Sequence, residues 1–202
     1  VLDWLLAKPF EISVLAILII FHPEIRYGLA RLGQKQIFFV GLREEEIDSM
    51  LRAVGKAVDV LAKNKFGALI ALEKNDSLVQ FIESGEVVDA KISPDLIEAI
   101  FTPNNPLHDG GLIIQQGRIA AAGCIFPLSQ NQDLSRIFGT RHRAALGLSD
   151  ETDAIIIVVS EERQDFSLVY QKKLYRDLGL EQMVSEIKRI IKQKNENDKR
   201  KC

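Results

Sequence analysis

Cysteine is nearly missing from this chain: among 202 residues only Cys124 and Cys202 carry thiols. Two such residues make no disulfide framework and no metal-ligand spacing, so a reducing cytosolic setting fits best. Cys124 sits inside a hydrophobic strand pattern and reads as a small core residue. An excess of one charge is missing too. Lys and Arg number 26 against 28 Asp and Glu, a formal net charge of −2, which argues against a polyanion partner, because binders of nucleic acid polymers carry a basic face. The substrate should be small. Neither an internal repeat nor a dinucleotide-binding glycine fingerprint is visible. What is plentiful is apolar: 47% hydrophobic residues suffice for one good core, and a second independent domain would be a squeeze.

The first residues stand apart. The chain begins with Val1 rather than Met and looks cut from something longer. Ile12 to Phe21 is an unbroken, mostly large apolar run. With Val1 to Phe10 in front it reaches the roughly 20 residues a membrane helix needs, although Asp3, Lys8 and Glu11 interrupt it. A signal peptide is disfavoured by the missing basic start and small-residue cleavage site. Arg26, Arg31 and Lys35 follow the apolar run and would place the next domain on the cytoplasmic side. The competing reading is a buried N-terminal helix of the globular domain. Pro23, Ile25, Leu29 and Leu32 then outline a connector helix over 22–36, ended near Gly33.

Apolar positions at Ile47, Met50, Leu51, Val54, Val58 and Leu61 repeat with helical spacing over 44–64, behind the acidic opening Glu44, Glu45 and Glu46. Phe66–Leu72 reads as a buried strand ended by a turn at Asn75-Asp76. Leu78–Ser84 is expected as a turn of helix and Val87–Lys91 as a strand. Ser93-Pro94-Asp95 opens a helix through Ile100, with proline at its first position. Leu112–Gln115 and Arg118–Phe126 flank Gln116-Gly117 as a β-hairpin. A polar loop over 127–138 leads to a helix over Arg141–Leu148, for which Thr140 is the expected N-cap. Ala154–Val159 and Phe166–Tyr170 form a second strand pair. Leu174–Lys194 has helical spacing, and Asn195–Cys202 is expected to be a charged, disordered end. These elements together predict an α/β fold with a mixed-strand central sheet flanked by helices on both faces.

Three polar clusters interrupt the apolar pattern. Pro106-Leu107-His108-Asp109-Gly110-Gly111 sets a carboxylate and an imidazole beside two glycines, where a phosphate or hydroxyl could approach the backbone. On its own it could equally be a polar turn entering a hairpin. Gly139-Thr140-Arg141-His142-Arg143 puts two guanidinium groups at a helix start. Cations there oppose the helix dipole unless an anion joins them, and arginine forks match phosphate oxygens. Ser160-Glu161-Glu162 follows a buried strand, either as solvent-facing turn residues or, beside phosphates, as metal-binding carboxylates. Together they look like a triphosphate clamp facing a carboxylate.

The chain resembles the diadenylate cyclase domain of bacterial cyclic di-AMP synthases, of the membrane-anchored type. The resemblance runs from His22 to about Leu180. It is carried in order by Phe21-His22-Pro23-Glu24, Asp89-Ala90-Lys91-Ile92-Ser93, Pro106-Leu107-His108-Asp109-Gly110, Ala121-Ala122-Gly123-Cys124, Gly139-Thr140-Arg141-His142-Arg143-Ala144-Ala145-Leu146-Gly147 and Val158-Val159-Ser160-Glu161-Glu162. Such members have three membrane helices before the domain. The resemblance thus implies that residues 1–21 end a truncated transmembrane region, 22–36 connect, 37–182 form the catalytic domain, and 183–202 finish a helix and a charged tail.

The resemblance further implies condensation of two ATP into cyclic di-AMP and two pyrophosphates, with a divalent metal (Mg2+, Mn2+ or Co2+). The family's Asp-Gly-Ala motif falls on Asp109, Gly110 and Gly111, with Asp109 activating the ribose 3′-hydroxyl as base or metal ligand. Gly139, Thr140, Arg141, His142 and Arg143 would hold the triphosphate. His108, Asp109 and Glu162 would contact metal. Adenine and ribose would lie against Leu78, Cys124, Ile125 and Phe126. Catalysis would need a homodimer or higher oligomer, two domains face to face, at the bacterial cell membrane with the catalytic domain in the cytoplasm. A membrane regulator with extracytoplasmic repeats and a phosphoglucosamine mutase would be further partners, and no nucleic acid polymer would be bound.

Two departures from the family pattern stand out. Gly111 replaces the usual alanine and is expected to leave space and flexibility while activity survives. Lys74-Asn75-Asp76-Ser77-Leu78 lacks the usual glycine before that leucine, which bears on the base pocket. Three competing readings are a catalytically silent nucleotide sensor, an enzyme that acts on one nucleotide without dimerising, and a structural membrane adaptor. The last would leave two arginines at a helix start with no anion to meet.

Overall fold

The computed structural model describes residues 43–129, 139–163 and 165–199, together with Ser13 and Phe21; side chains are described as far as Lys192. The remaining residues expected to form the membrane segment 1–21 and the connector 22–36, and residues 130–138 of the expected polar loop, lie outside this set. Contacts divide the chain into Val1–Gln36 and Ile37–Cys202, and the sheet with its helices belongs to the second unit. Among the described residues no helix is long and apolar enough to cross a membrane.

Seven strands form one sheet: β1 (Ala68–Leu72), β2 (Glu86–Lys91), β3 (Gly111–Gln115), β4 (Arg118–Cys124), β5 (Ile155–Val159), β6 (Phe166–Tyr170) and β7 (Lys173–Tyr175). Their order across the sheet is β2-β4-β3-β1-β5-β6-β7. β1 pairs in parallel with β3 and antiparallel with β5, and every other pair is antiparallel. Among the described residues the helices with full ranges are α1 (Glu44–Lys63), α2 (Val79–Ile82), α3 (Pro94–Phe101), α4 (Thr140–Glu151) and α5 (Leu180–Lys199).

Strand alternation sends residues to two cores. Ala68, Ile70, Leu72, Leu112, Ile114, Ile155, Ile157 and Val159 face α1, α3 and α5, whereas Leu69, Ala71, Ile113, Ile156 and Val158 face α2 and α4. Both faces of the central strands are therefore covered, which is why β1 and β5 are apolar at every position. In α1 the apolar stripe Met50, Leu51, Val54, Val58 and Leu61 is buried, and Glu44, Glu45 and Glu46 occupy the first turn. Glu46 reaches back to accept the Arg43 N–H at 2.8 Å, which caps the helix. Ser93 caps α3 by accepting the Leu96 N–H at 3.2 Å.

Gln115 and Arg118 pair across a two-residue turn whose central residues, Gln116 and Gly117, have φ of 50° and 71°. Both positive angles match a type I′ hairpin turn. The chain repeats this device where no glycine announces it. Gln171 and Lys172 have φ of 47° and 63° between paired Tyr170 and Lys173, and Lys172 N–H donates to the Ser149 hydroxyl of α4 at 2.7 Å. Residues 173–175 are consequently an edge strand, a correction to the helix expected from Leu174. α5 starts at Leu180 and continues to Lys199, into the stretch expected to be a disordered tail. Its apolar residues Met183, Ile187 and Ile190 join the core beside α1, and Lys188 pairs with Asp48 at 2.9 Å.

The segment Lys74-Asn75-Asp76-Ser77-Leu78 is tied down rather than free. The Asp153 carboxylate accepts Asn75 N–H at 3.0 Å, Asp76 N–H at 2.9 Å and the Asn75 side-chain amide, while Asp76 accepts Asp153 N–H at 3.0 Å. Buried Glu73 accepts Leu78 N–H at 2.9 Å and the Gln115 amide at 2.8 Å. Buried Lys74 donates to the Tyr170 hydroxyl at 2.6 Å. Asp153→Ala leaves two backbone donors without their acceptor and is expected to cost about 2–3 kcal/mol of stability, measured by urea denaturation.

Candidate active site

Strand register decides which chemistry meets. Because β1 and β3 are parallel, Gly67 before β1 and Asp109-Gly110 before β3 lie at one end of the sheet. Antiparallel pairing of Ala68 with Val159, Phe166 with Val159 and Gly111 with Cys124 brings Ser160-Glu161-Glu162, Asp165 and Ile125-Phe126 to that same end. β3 and β5 are separated by β1 alone, so the starts of the carboxylate loop and the Glu161 turn are about 10 Å apart.

α4 closes this end with its N-terminus. Gly139 is the N-cap, with extended backbone, and Thr140 is the first helical residue; no side chain caps the helix. Thr140 as N-cap is thus corrected by one residue. The first free N–H groups of α4 and the positive end of its dipole carry Arg141 and His142 beside them, an arrangement that favours an anion. A cleft of about 230 Å3 opens here, lined by Gly139, Thr140, Arg141 and His142 from α4, by Ser160, Glu161, Glu162, Arg163 and Asp165 from the β5–β6 turn, and by Ser167 and Arg176. The expected clamp residues 139–142 and Glu162 therefore share one cavity. Arg143 does not line it. Its Nε is buried and has no hydrogen-bond partner among the described residues, and the same holds for Asp165 Oδ1.

Arg141 makes an ion pair with Glu161, and both sit over Gly67: a Cβ there would lie 2.7 Å from Glu161 Cγ. Glycine before β1 thus makes room for the pair. Gly67, Arg163, Asp165 and Arg176 were not among the expected site residues. The only sequence signal for Gly67 was its place at the start of a buried strand, and for Asp165 its place just before one.

The carboxylate loop is built by its own hydrogen bonds. Asn105 donates to the Ala99 carbonyl at 2.7 Å and accepts Leu107 N–H at 3.0 Å. His108 Nδ1 lies 2.5 Å from the Asn105 carbonyl oxygen. A carbonyl only accepts, so in the neutral imidazole Nδ1 carries the proton and Nε2 the lone pair. Asp109 is exposed, and Gly110 turns the chain with φ of +130°. A Cβ on Gly110 would stand 2.6 Å from the Gly123 carbonyl carbon and 2.9 Å from the Cys124 oxygen, so only glycine fits.

Among the expected base-binding residues, Leu78, Cys124 and Phe126 are buried in the α2/α4 core, and only the Ile125 side chain is exposed, at 72%. Burial pushes the Cys124 thiol up to about 11, so it stays protonated. Gly111 also differs from expectation. Its missing methyl leaves no space, because the Phe126 ring fills it: a Cβ would meet Phe126 Cζ at 2.5 Å and Cδ2 at 3.0 Å.

The donors present suit a divalent metal only with help from the substrate. Among the described residues no group of three or more His, Cys, Asp or Glu side chains converges, so the protein alone forms no cage. An exposed Asp109, an Nε2 lone pair on His108 and the cleft residue Glu162 do fit a hard cation held by one or two side chains and completed by phosphate oxygens.

Burial holds the His142 imidazole below its ordinary 6.5; Asp165 opposes that shift and Arg163 adds to it. The unfolded chain binds the proton more readily, so His142 contributes stability above pH 6.5 that is lost as pH falls through its lower folded value. Stability measured by urea unfolding between pH 7.5 and 5 is expected to drop on acidification, with a shallower slope in His142→Asn.

Comparison with known proteins identifies the family. The family model described as DisA bacterial checkpoint controller nucleotide-binding matches residues 55–174. The cyclic di-AMP synthase CdaA of Bacillus subtilis is 39% identical over 199 residues, which cover 98% of this chain and 72% of that protein. The diadenylate cyclase of Listeria monocytogenes serotype 1/2a is 43% identical over 183 residues, 90% of this chain and 67% of that protein. A crystal structure of DacA from Staphylococcus aureus, in a form carrying two introduced cysteines, superposes with a TM-score of 0.70 at 41% identity, over 73% of this chain and 99% of that one. A seven-stranded mixed sheet with an uncapped basic helix start at the same sheet end as Asp109-Gly110, at about 40% identity over most of the chain, places it in the diadenylate cyclase family.

Proposed function

We propose that this chain condenses two ATP molecules into cyclic di-AMP, each ribose 3′-oxygen attacking the α-phosphorus of the other nucleotide while the bond to the β-phosphate breaks and pyrophosphate leaves. The observation that carries this reading is the uncapped N-terminus of α4, with Arg141 and His142, facing the same sheet end as Asp109. Asp109 accepts the 3′-hydroxyl proton and returns it to solvent. Its exposure suits contact with a nucleotide that a second domain presents.

Thr140, Arg141, His142 and the α4 N–H groups hold the triphosphate, and the Arg141 guanidinium with the positive end of the α4 dipole offsets the charge that builds on the leaving pyrophosphate. Arg143, whose buried Nε has no partner among the described residues, is the remaining member of this clamp. Glu161 keeps Arg141 extended over Gly67 until phosphate oxygens take its place. A divalent cation, when bound, would supply neutralisation of the phosphates, held by one or two of the candidate side chains His108, Asp109 and Glu162 and completed by phosphate oxygens. The base would lie along Ile125 and the backbone of 124–126.

Each chain offers one such cleft among its described residues, and ring closure needs two, so the active form is a dimer or larger. In this reading residues 1–21 anchor the protein in the bacterial cell membrane, 22–36 connect, 37–182 are the cytoplasmic catalytic domain and 183–202 end it. Tethering would raise the local concentration of domains, so a weak interface suffices. A membrane regulator and a phosphoglucosamine mutase are candidate partners on the family likeness.

Incubation with ATP and Mg2+, Mn2+ or Co2+, followed by mass spectrometry of the nucleotides, is expected to show cyclic di-AMP; unchanged ATP with every metal would overturn the reading. Specific activity should rise with enzyme concentration in the dilute range, because two domains must meet. Asp109→Asn is expected to abolish product while ATP binding persists. Arg143→Ala is expected to weaken ATP binding by about ten- to a hundredfold in calorimetry, the scale of a charged hydrogen-bond pair.

A further inference from the structure

Phe126 enters the reading so far only through its backbone beside the base, yet its side chain is pressed against the carboxylate motif. Its ring rests on the bare Cα of Gly111, the first residue of β3 and the second after Asp109. It is not a loose side chain. The ring is 6% exposed and meets Phe81 of α2 edge to face, with centroids 5.8 Å apart and planes at 88°. The backbone before it is fixed as well: Ile125 N–H donates to the Ser84 hydroxyl at 3.0 Å, and that hydroxyl donates to the Phe81 carbonyl at 2.6 Å.

On the other side Gly110 crosses the backbone of Gly123 and Cys124 with no room for a side chain. The turn that aims Asp109 is therefore held between two surfaces, the β4 backbone and the Phe126 ring. A larger residue at 111 has nowhere to go except by pushing the ring into Phe81 or lifting the start of β3. A smaller residue at 126 leaves Gly111 unsupported.

Resting on the diadenylate cyclase reading, we propose that Phe126 is a positioning residue for Asp109. Residues 111 and 126 form a size-complementary pair, and the aromatic ring stands where a motif methyl group would otherwise pack. The pair also links two parts of the site, because Phe126 follows Ile125, the exposed side chain at the base position.

The test is a double-mutant cycle in the full chain: the parent, Gly111→Ala, Phe126→Leu and the double variant, with cyclic di-AMP formation measured per folded molecule. Folded fraction is read by circular dichroism. Gly111→Ala is expected to lose about tenfold or more in kcat, the usual scale of overpacking, with KM for ATP changed by less than about twofold because the α4 clamp is untouched. Phe126→Leu should lose about threefold, and the double variant should return to within about threefold of the parent.

Losses that multiply in the double variant would overturn the pair. So would a Gly111→Ala protein that melts at lower temperature but turns over like the parent, since that is the signature of packing without positioning. A parent that binds ATP and makes no cyclic di-AMP would instead overturn the reaction itself, and the role of Phe126 with it.

Discussion

β1 and β3 run parallel in a sheet whose other pairs are all antiparallel, and the position of the site depends on that contact. A parallel pair cannot be joined by a tight turn. Residues 73–110 supply the crossover, and in doing so they place α2, β2 and α3 between the two strands in sequence. The starts of β1 and β3 then share an end with the finish of β5. Had β3 run the other way, Asp109 would lie at the far end, beside Glu73 and Asp153.

The two ends of the sheet are built differently. At the far end, charged groups are satisfied by one another and by backbone: Asp153 collects three donors, Glu73 two, and Lys74 finds the Tyr170 hydroxyl. At the site end, buried polar atoms of Arg143 and Asp165 are left without partners among the described residues. Buried polar groups are costly unless hydrogen-bonded, so the two ends differ in how completely their own groups satisfy one another. Glycines separate the ends as well. Gly67, Gly110 and Gly111 all stand at strand starts of the site end, each against atoms that exclude a side chain.

Much of this was legible in the chain itself. Alternation and helical spacing located α1, β1, α3, the β3–β4 hairpin and the β5–β6 pair because both periodicities are set by burial on covered faces. Residue type also marked the basic helix start and the carboxylate loop. What escaped was tertiary. The β6–β7 turn uses Gln171 and Lys172 at positive φ, held by Ser149 from a helix distant in sequence, so no glycine or asparagine signalled it. The cap of α4 fell on Gly139 because Thr140 adopts helical backbone. Gly111 looked like lost volume, and only the fold brings Phe126 across from the end of β4 to fill it. Leu78 and Cys124, expected at the base, carry apolar side chains that lie in the core, and sequence does not say whether such a residue faces a ligand or the core.

The outer edge of β2 bears on how copies of the chain can meet. β2 is a border strand with exposed charges at Glu86, Asp89 and Lys91 and an exposed Val87. Its pairing with β4 breaks register between Val87 and Ala90, where Asp89 adopts φ of 42° and its carboxylate accepts Arg118 Nε–H at 2.6 Å. A bulged, charged border is a poor template for another strand. The sheet therefore stops growing at this side, and union of two molecules through a continuous intermolecular sheet across β2 is disfavoured. Partners are left to meet through side chains and loops, in contacts that can open again once a product has to leave.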